Sequence, residues 1–453
     1  MARDLTTGSP MRLIWSFALP TLFGMLFQQF YNMMDTMIVG QLLGASALAS
    51  VGSTSSINFF VIGFCMGVCN GFAIPVAQRM GAGDYSQMRR CVANAGWLSA
   101  LFAVVLTVFT GLFCRTILTV MRTPEDIFDG AYWYILIIFL GIPTTFLYNL
   151  LAAVIRALGD SKTPVYFLAI SSVLNIALDL LLILYCHAGV AGAALATVIS
   201  QGVSGLACLV FMVKRFPILH MTAEERRLDG RTLCLMGIPM GLQYSITAIG
   251  SIVLQSAVNG LGSRYVASVA AGTKLFQVIC CPFDAMGATM ATYCGQNVGA
   301  IKLDRLGQGL RACSLLGLGY ALLSFASIFF FAPQMALLFL NPGEEALIGY
   351  TAQYITTLGA FFFPLALVNI LRFSIQGMGF SNLAILAGVM EMFARMGVAT
   401  LLVPAIGYTG ACFASPAAWI CADLFLIPAS CWSIAHLRRV YGQPGERSGS
   451  PAP

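Results

Sequence analysis

Residues 28–40 read Gln28-Gln29-Phe30-Tyr31-Asn32-Met33-Met34-Asp35-Thr36-Met37-Ile38-Val39-Gly40 and lie late in the first long apolar segment of the chain. Asp35 is a carboxylate at a place where an apolar side chain is expected. Gln28, Asn32 and Asp35 recur at helical spacing and therefore share one helix face. A charge at membrane depth is costly and usually faces a bundle interior or a water-filled cavity. We expect this face to line a transport cavity in which Asp35 exchanges a proton or a cation.

The composition of the whole chain is that of a polytopic membrane protein. Of its 453 residues, 58% are hydrophobic and 9% are charged, whereas soluble domains contain about 25% charged residues. The charges fall in short groups between apolar runs of about 20 residues, the length that spans a bilayer. The net charge of +6 comes from basic loops that set membrane topology, so we expect no nucleic-acid partner.

Twelve spanning helices are predicted, which makes the fold all-α. Their approximate ranges are 12–38, 46–74, 92–114, 131–155, 164–186, 190–213, 233–259, 266–293, 311–332, 347–371, 383–403 and 408–434. Most lysines and arginines, Arg372 among them, fall in connections that are cytoplasmic if the N-terminus is cytoplasmic. The positive-inside rule then predicts a multi-pass protein of the cell membrane with both termini in the cytoplasm.

The two halves of the chain repeat with a shift of about 219 residues. The matching stretches are 19–20 and 238–239, 78–82 and 296–300, 157–161 and 377–381, and 189–193 and 407–411. With six helices each, both copies enter the membrane from the same side, so the repeat is parallel. We predict an N-terminal lobe at 1–213, a cytoplasmic linker at 214–232, a C-terminal lobe at 233–440 and a disordered tail at 441–453.

Ionisable residues inside predicted spans are the candidates for ion or substrate handling. They are Asp35, Asp179, Lys274, Asp284, Glu391, Arg395 and Asp423. Asp35 and Asp179 should lie at similar depth in the N-terminal lobe. If they converge, desolvation and like charge favour a proton on one of them; two separately satisfied structural aspartates are the alternative. Glu391 and Arg395 are one turn apart and fit a structural ion pair, while the roles of the others stay open.

The seventh predicted span has a polar stripe without a carboxylate. The stripe consists of Gln243, Thr247, Ser251 and Gln255. The N-terminal lobe is therefore the expected ion-handling half, and the stripe contacts either substrate or neighbouring helices. In the second span, glycines 63, 67 and 71 recur every fourth residue, which predicts a groove for a closely packed helix.

Together these features resemble the multidrug and toxic compound extrusion (MATE) family across nearly the whole chain. The motifs that carry the resemblance are Pro20 with residues 28–36 and Gly40, the Gln-x-x-Gly-Ala repeats at 78 and 296, residues 156–164 (Arg-Ala-Leu-Gly-Asp-Ser-Lys-Thr-Pro), and Asn175-x-x-x-Asp179. The resemblance implies antiport, in which a bulky, often cationic, organic compound leaves while H⁺ or Na⁺ enters. It also implies V-shaped alternating access between two six-helix lobes.

The resemblance also implies roles for individual residues. Asp35, Tyr31, Asn175, Asp179 and Thr197 match the family's N-lobe cation site, and Pro20 matches the proline at which the first helix can bend. The seventh span without a carboxylate is similar to the DinF-like branch, which favours H⁺ over Na⁺. We further assign Gln28, Asn32, Gln243, Gln255 and Asp284 to the substrate cavity.

Other functions fit the sequence less well. A flippase for a lipid-linked or amphiphilic substrate is the main alternative, supported by Lys274 and Arg395. An enzyme is disfavoured because no H-E-x-x-H or G-x-S-x-G motif occurs, and no Walker A motif points to ATP. A channel would need a ring of repeated filter residues. We expect small organic substrates, the lipid bilayer as environment, no cofactor or metal, and a functional monomer.

Overall fold

The computed structural model describes residues 4–220, 222, 225 and 229–442. In this part of the chain, ten helices are long and apolar enough to cross a membrane, or twelve when each of two bent helix pairs counts as one span. The predicted all-α fold with twelve spanning helices is therefore confirmed. The predicted tail falls almost wholly outside the described residues.

The twelve helices follow the predicted order. The first six are α1 (Pro10–Leu43), α2 (Ala45–Ser53 and Ser55–Gly81), α3 (Tyr85–Val120), α4 (Glu125–Leu140 and Ile142–Ala157), α5 (Thr163–Leu180 with a π-helical turn at Leu181–Tyr185) and α6 (Gly189–Arg215). The second six are α7 (Arg231–Asn259), α8 (Ser263–Gly299), α9 (Asp304–Ala336), α10 (Glu345–Ala360 and Phe362–Gly377), α11 (Ser381–Gly397, a π-helical turn at Val398–Leu402, and Val403–Ile406) and α12 (Tyr408–Cys412 and Ala414–Tyr441). Most helices extend beyond the predicted range at one or both ends.

The internal repeat is also present in the irregular parts of the backbone. The two segments of α4 meet at 48° and those of α10 at 53°, and α5 and α11 each continue into a π-helical turn. Positive φ angles recur at matching positions of the two halves, namely Gly44 and Gly262, Gly83 and Ile301, Gly159 and Gly379, and Gly189 and Gly407. The two halves therefore share bends and turns as well as sequence motifs.

Packing divides the chain into two compact units. The first unit contains Phe23–Ser245, and the second contains Leu5–Leu22 and the chain from Ile246 onward. The predicted lobes follow chain order, whereas these units place the start of α1 with the second half and the start of α7 with the first half. Each unit has its own apolar core.

The segment that precedes α1 is bound to the second unit. Leu5 is 1% exposed; its amide donates to Gln296 Oε1 at 2.9 Å, and its carbonyl accepts from Asn297 Nδ2 at 3.3 Å. The ammonium group of Lys302 donates to the Thr6 carbonyl at 2.8 Å. Gln296 and Asn297 open the second copy of a sequence repeat, so this copy also anchors the opening segment of the chain.

The described part of the linker between the halves is bound to the first unit. Arg89 of α3 donates to both carboxylate oxygens of Glu225, at 2.7 and 2.9 Å, and to the carbonyl of Ile218 at 3.3 Å. The hydrogen bonds from Arg89 lower the pKa of Glu225 to about 2. The ion pair therefore stabilises the bound linker at pH values above 4.5, the ordinary pKa of glutamate. This stabilisation is lost as the pH falls toward 2. Residues 221, 223, 224 and 226–228 of the predicted linker lie outside the described residues.

The glycine groove of α2 receives the first part of α7, backbone against backbone. A methyl group built at Gly67 would lie 2.5 Å from the Met240 carbonyl oxygen, and one built at Gly71 would lie 2.5 Å from the Gly237 Cα. Such approaches leave no room for a side chain. The predicted small-residue groove is confirmed, and the structure identifies its partner as α7.

Gly71→Val should destabilise the first unit, because the added side chain meets backbone atoms that cannot rotate away. Overpacking of this kind typically costs about 1–3 kcal/mol. Gly96→Val on α3 is the matched control, since a methyl group there meets nothing within 4 Å. Thermal unfolding in detergent measures both variants, and equal unfolding midpoints would contradict the proposed packing.

Candidate functional site

Asp35 of α1 and Asp179 of α5 come together inside the first unit. Their carboxyl groups lie within hydrogen-bonding range of each other. Asp179 is fully buried and Asp35 is half-buried. Two carboxyl groups can form a hydrogen bond only if one of them carries a proton, because ionised carboxylates are acceptors only. A proton shared between the two groups would therefore replace their repulsion with a hydrogen bond.

A chain of hydrogen bonds leads from Tyr31 to this pair. The Tyr31 hydroxyl donates to Thr197 Oγ1 at 3.2 Å. With the amide of Asn175 oriented to satisfy both of its ends, its oxygen accepts from Thr197 Oγ1 at 3.3 Å and its nitrogen donates to Asp179 Oδ2 at 2.9 Å. The five residues that sequence analysis assigned to a cation site thus form one cluster, built from α1, α5 and α6.

The backbone changes form next to this cluster. Asp179 lies in the last turn of the regular part of α5, and the π-helical turn Leu181–Tyr185 follows directly. Single π-helical turns are rare in proteins as a whole. Those that occur are often found at functional sites. The local conformation therefore sets Asp179 apart from an ordinary buried residue of a spanning helix.

Sequence analysis missed Tyr134 of α4. Its side chain is 7% exposed, and it lies close enough to interact electrostatically with Asp35, Asp179 and Tyr31. In the sequence it is one aromatic residue in an apolar run and cannot be distinguished from an ordinary core tyrosine. The internal repeat offers one signal, because the corresponding position of α10 is also a tyrosine, Tyr354.

The residues predicted for the substrate cavity are divided between the two units. The first unit contains Gln28 and Asn32 on α1 and Gln243 on α7. Gln28 is half-buried, Asn32 is exposed, and Gln243 is buried at 5% exposure. Gln255, exposed, and Asp284 belong to the second unit. Their assignment to a cavity stays a prediction.

The second unit has a buried cluster of charges of its own. Glu391 of α11 forms ion pairs with Arg372 of α10 and with Arg395, whose Nη1 lies 3.5 Å from Glu391 Oε2. The predicted Glu391–Arg395 pair is confirmed. The placement of Arg372 in a loop is wrong: α10 continues to Gly377, and Arg372 is 6% exposed. The Glu391 carboxylate neutralises Arg372, so the helix can continue past it.

Pro20 lies inside α1, two residues before the boundary between the units. Proline has no amide hydrogen, so the carbonyl of Ser16 lacks its usual helical donor. A helix interrupted in this way bends more easily at that point. The predicted hinge role stays a prediction.

Comparison with known proteins gives consistent matches. The family model described as MatE matches residues 20–181 and 239–401, one match in each half of the chain. The chain is 32% identical over 379 residues to the "Probable multidrug resistance protein YpnP" of Bacillus subtilis (strain 168), which covers 81% of this chain and 82% of that protein. It is 23% identical over 366 residues to the "FAD transporter" of Shewanella oneidensis, with 79% and 80% covered.

The fold also matches solved structures. An outward-facing multidrug resistance transporter of the MATE family superposes with a TM-score of 0.88, covering 96% of this chain and 98% of that chain at 22% identity. Another structure of a MATE protein, in its bent conformation, superposes with a TM-score of 0.87 at 22% identity, covering 97% of this chain and 98% of that chain. At these identities the likeness concerns the fold.

Proposed function

The chain belongs to the MATE family, and we propose that it is a secondary antiporter that exports organic, often cationic, compounds in exchange for H⁺. Proteins of the family are membrane transporters, not enzymes, and they need no cofactor. A multi-span protein of this family belongs in the plasma membrane. The exchange of compound for proton, and the choice of H⁺ as the coupling ion, are the parts that we propose.

The close approach of the Asp35 and Asp179 carboxyl groups is the observation that supports proton coupling. When the shared proton leaves, two like charges remain in a poorly solvated site and repel each other. A proton arriving from the other side of the membrane removes that repulsion. The pair therefore has two states of different internal energy, and an antiporter can link such states to its conformation.

Na⁺ is the alternative coupling ion. Carboxylate, hydroxyl and amide oxygens of the cluster are ligands that hard cations accept. H⁺ is favoured because a shared proton stabilises the contact between the two carboxyl groups without any further ligand. The absence of a carboxylate from α7 supports the same choice and a place in the DinF-like branch.

The repeat supports a mechanism of alternating access. We propose that the lobes at 1–213 and 233–440 work as the two moving parts and that α1 bends at Pro20. The positive-inside pattern supports cytoplasmic termini, and the internal repeat makes a monomer sufficient for transport.

Flipping of an anionic amphiphile is the second candidate function. Lys274 and Arg395 favour it because a phosphate headgroup would need cationic partners. Arg395 is, however, paired with Glu391, and the Lys274 ammonium lies over the ring of Phe339 at 5.9 Å. These contacts occupy both cations within the second unit, so export of cationic compounds remains the better supported function.

A proton gradient alone should drive transport in sodium-free proteoliposomes. With an acidic lumen, we expect uptake of a fluorescent cationic dye, because protons leaving the lumen supply the free energy for the dye to enter. A protonophore should abolish this uptake. Uptake that requires an outward Na⁺ gradient and ignores the pH gradient would reverse the ion assignment.

A further inference from the structure

Asp423 of α12 is a buried carboxyl group that the proposed exchange site does not use. It is 7% exposed, and its neighbours Ala422 and Leu426 are completely buried. Its Oδ1 atom has no hydrogen-bond partner in the described part of the chain. An ionised carboxylate without donors is very costly in a lipid-spanning bundle, so this oxygen needs either a proton or a cationic neighbour.

The helices packed against α12 supply that neighbour. Arg372 of α10 interacts with the charge of Asp423. Ion pairs connect Arg372 through Glu391 of α11 to Arg395, and the phenol of Tyr354 lies beside Arg395. Arg372 is close enough to Asp423 to interact with its charge, but it is paired with Glu391. Glu391 therefore pairs with two guanidinium groups.

The balance of charge makes two arrangements accessible. Arginine keeps its proton throughout, so Arg372 and Arg395 contribute two positive charges and Glu391 one negative charge. The cluster is neutral when Asp423 is ionised and carries one positive charge when Asp423 is protonated. An ionised Asp423 would attract Arg372 away from Glu391, whereas a protonated Asp423 leaves Arg372 where the structure shows it.

The position of the cluster within the internal repeat supports a functional role for Asp423. Its helices α10, α11 and α12 are the repeat counterparts of α4, α5 and α6, which hold Tyr134, Asp179 and Thr197. Tyr354, near Arg395, is the counterpart of Tyr134, near Asp179. The two units thus place a buried charge cluster on corresponding helices, although the charged residues themselves differ.

We propose that Asp423 is a second proton-binding site, at which a proton and the guanidinium group of Arg372 alternate as partners of the carboxylate. Proton release sends H⁺ to the aqueous phase and moves Arg372 from Glu391 toward Asp423; proton uptake reverses both. The binding of the proton stands independently of the antiport proposed above, while its contribution to transport rests on that function.

Infrared difference spectroscopy of the purified protein in lipid nanodiscs tests the binding directly. In the variant Asp35→Asn/Asp179→Asn, which removes the carboxyl pair of the first unit, we expect the C=O band of a protonated carboxyl group to disappear as the pH rises. Adding Asp423→Asn should remove this band, whereas adding Asp284→Asn, the control for another carboxyl of the same unit, should leave it. A band that survives Asp423→Asn, or no titrating band, would overturn the proposal.

Two further variants separate proton binding from a purely structural role. Arg372→Gln should move the disappearance of the band to higher pH, because the positive charge that favours the carboxylate is lost; an unchanged titration would contradict the role of Arg372. Asp423→Glu, which keeps a carboxyl group, should keep the band even if Asp423→Asn folds poorly. Because the readout needs no transport, a failure of proton antiport in proteoliposomes leaves this result interpretable.

Discussion

Asp35→Asn should abolish pH-driven uptake of a cationic dye into proteoliposomes, with a fall in initial rate of at least about tenfold, equivalent to about 1.4 kcal/mol. An asparagine has nearly the size of an aspartate but cannot release or accept a proton at this site. The shared proton of the pair is then lost as a coupling element. Dye binding to the purified variant should persist, because the substitution removes the coupling group and keeps the fold.

Asp126→Asn is the matched control for Asp35→Asn. It makes the same chemical change at an exposed position near the start of α4, and it should transport at the wild-type rate. Wild-type transport by Asp35→Asn itself would refute the carboxylate mechanism. Loss of dye binding together with transport would instead place Asp35 in direct contact with substrate.

Asp179→Asn should cause a loss of the same size. The new amide can donate a hydrogen bond to Asp35, which imitates the protonated pair and holds Asp35 ionised. The pair then loses the two states between which it alternates. Asp423→Asn should be milder, because the exchange site in the first unit remains intact.

The double variant Asp35→Asn/Asp179→Asn tests whether the two carboxyl groups act together, which the single variants do not. If the two carboxyl groups act as one unit, its transport rate should be no lower than that of either single variant, since one substitution already removes the function. Losses that multiply would indicate two independent aspartates. Equal losses of transport in Asp179→Asn and Asp423→Asn would show that Asp423 is as important for transport as Asp179, contrary to our prediction.

Much of the fold follows from the pattern of apolar runs, but the bends do not. Runs of spanning length and the repeat predicted twelve helices, and the structure has them. The breaks at Gly141 and Phe361 were not predicted, because glycine and phenylalanine are both common inside spanning helices. The sequence predicts Arg372 in a loop because a charge usually ends an apolar run, whereas the ion pair with Glu391 of the next helix stabilises it inside α10.

The candidate site was more accessible to sequence analysis because its members are rare in apolar helices. Asp35, Asp179 and Asn175 stand out as polar residues at helical spacing, and the resemblance to a family added Thr197 and Tyr31. Tyr134 did not stand out, since an aromatic residue with a hydroxyl group is ordinary in a membrane helix. Whether such a tyrosine belongs to the site depends on contacts between helices, and these contacts cannot be read from the sequence alone.

The division of α1 and α7 between the two units has a consequence for how the chain can be cut and reassembled. Each unit is completed by a segment encoded in the other half of the gene. A half of the chain made alone would lack the segment that completes its unit. A transporter cut at its linker should accordingly regain its fold only when both fragments are made together.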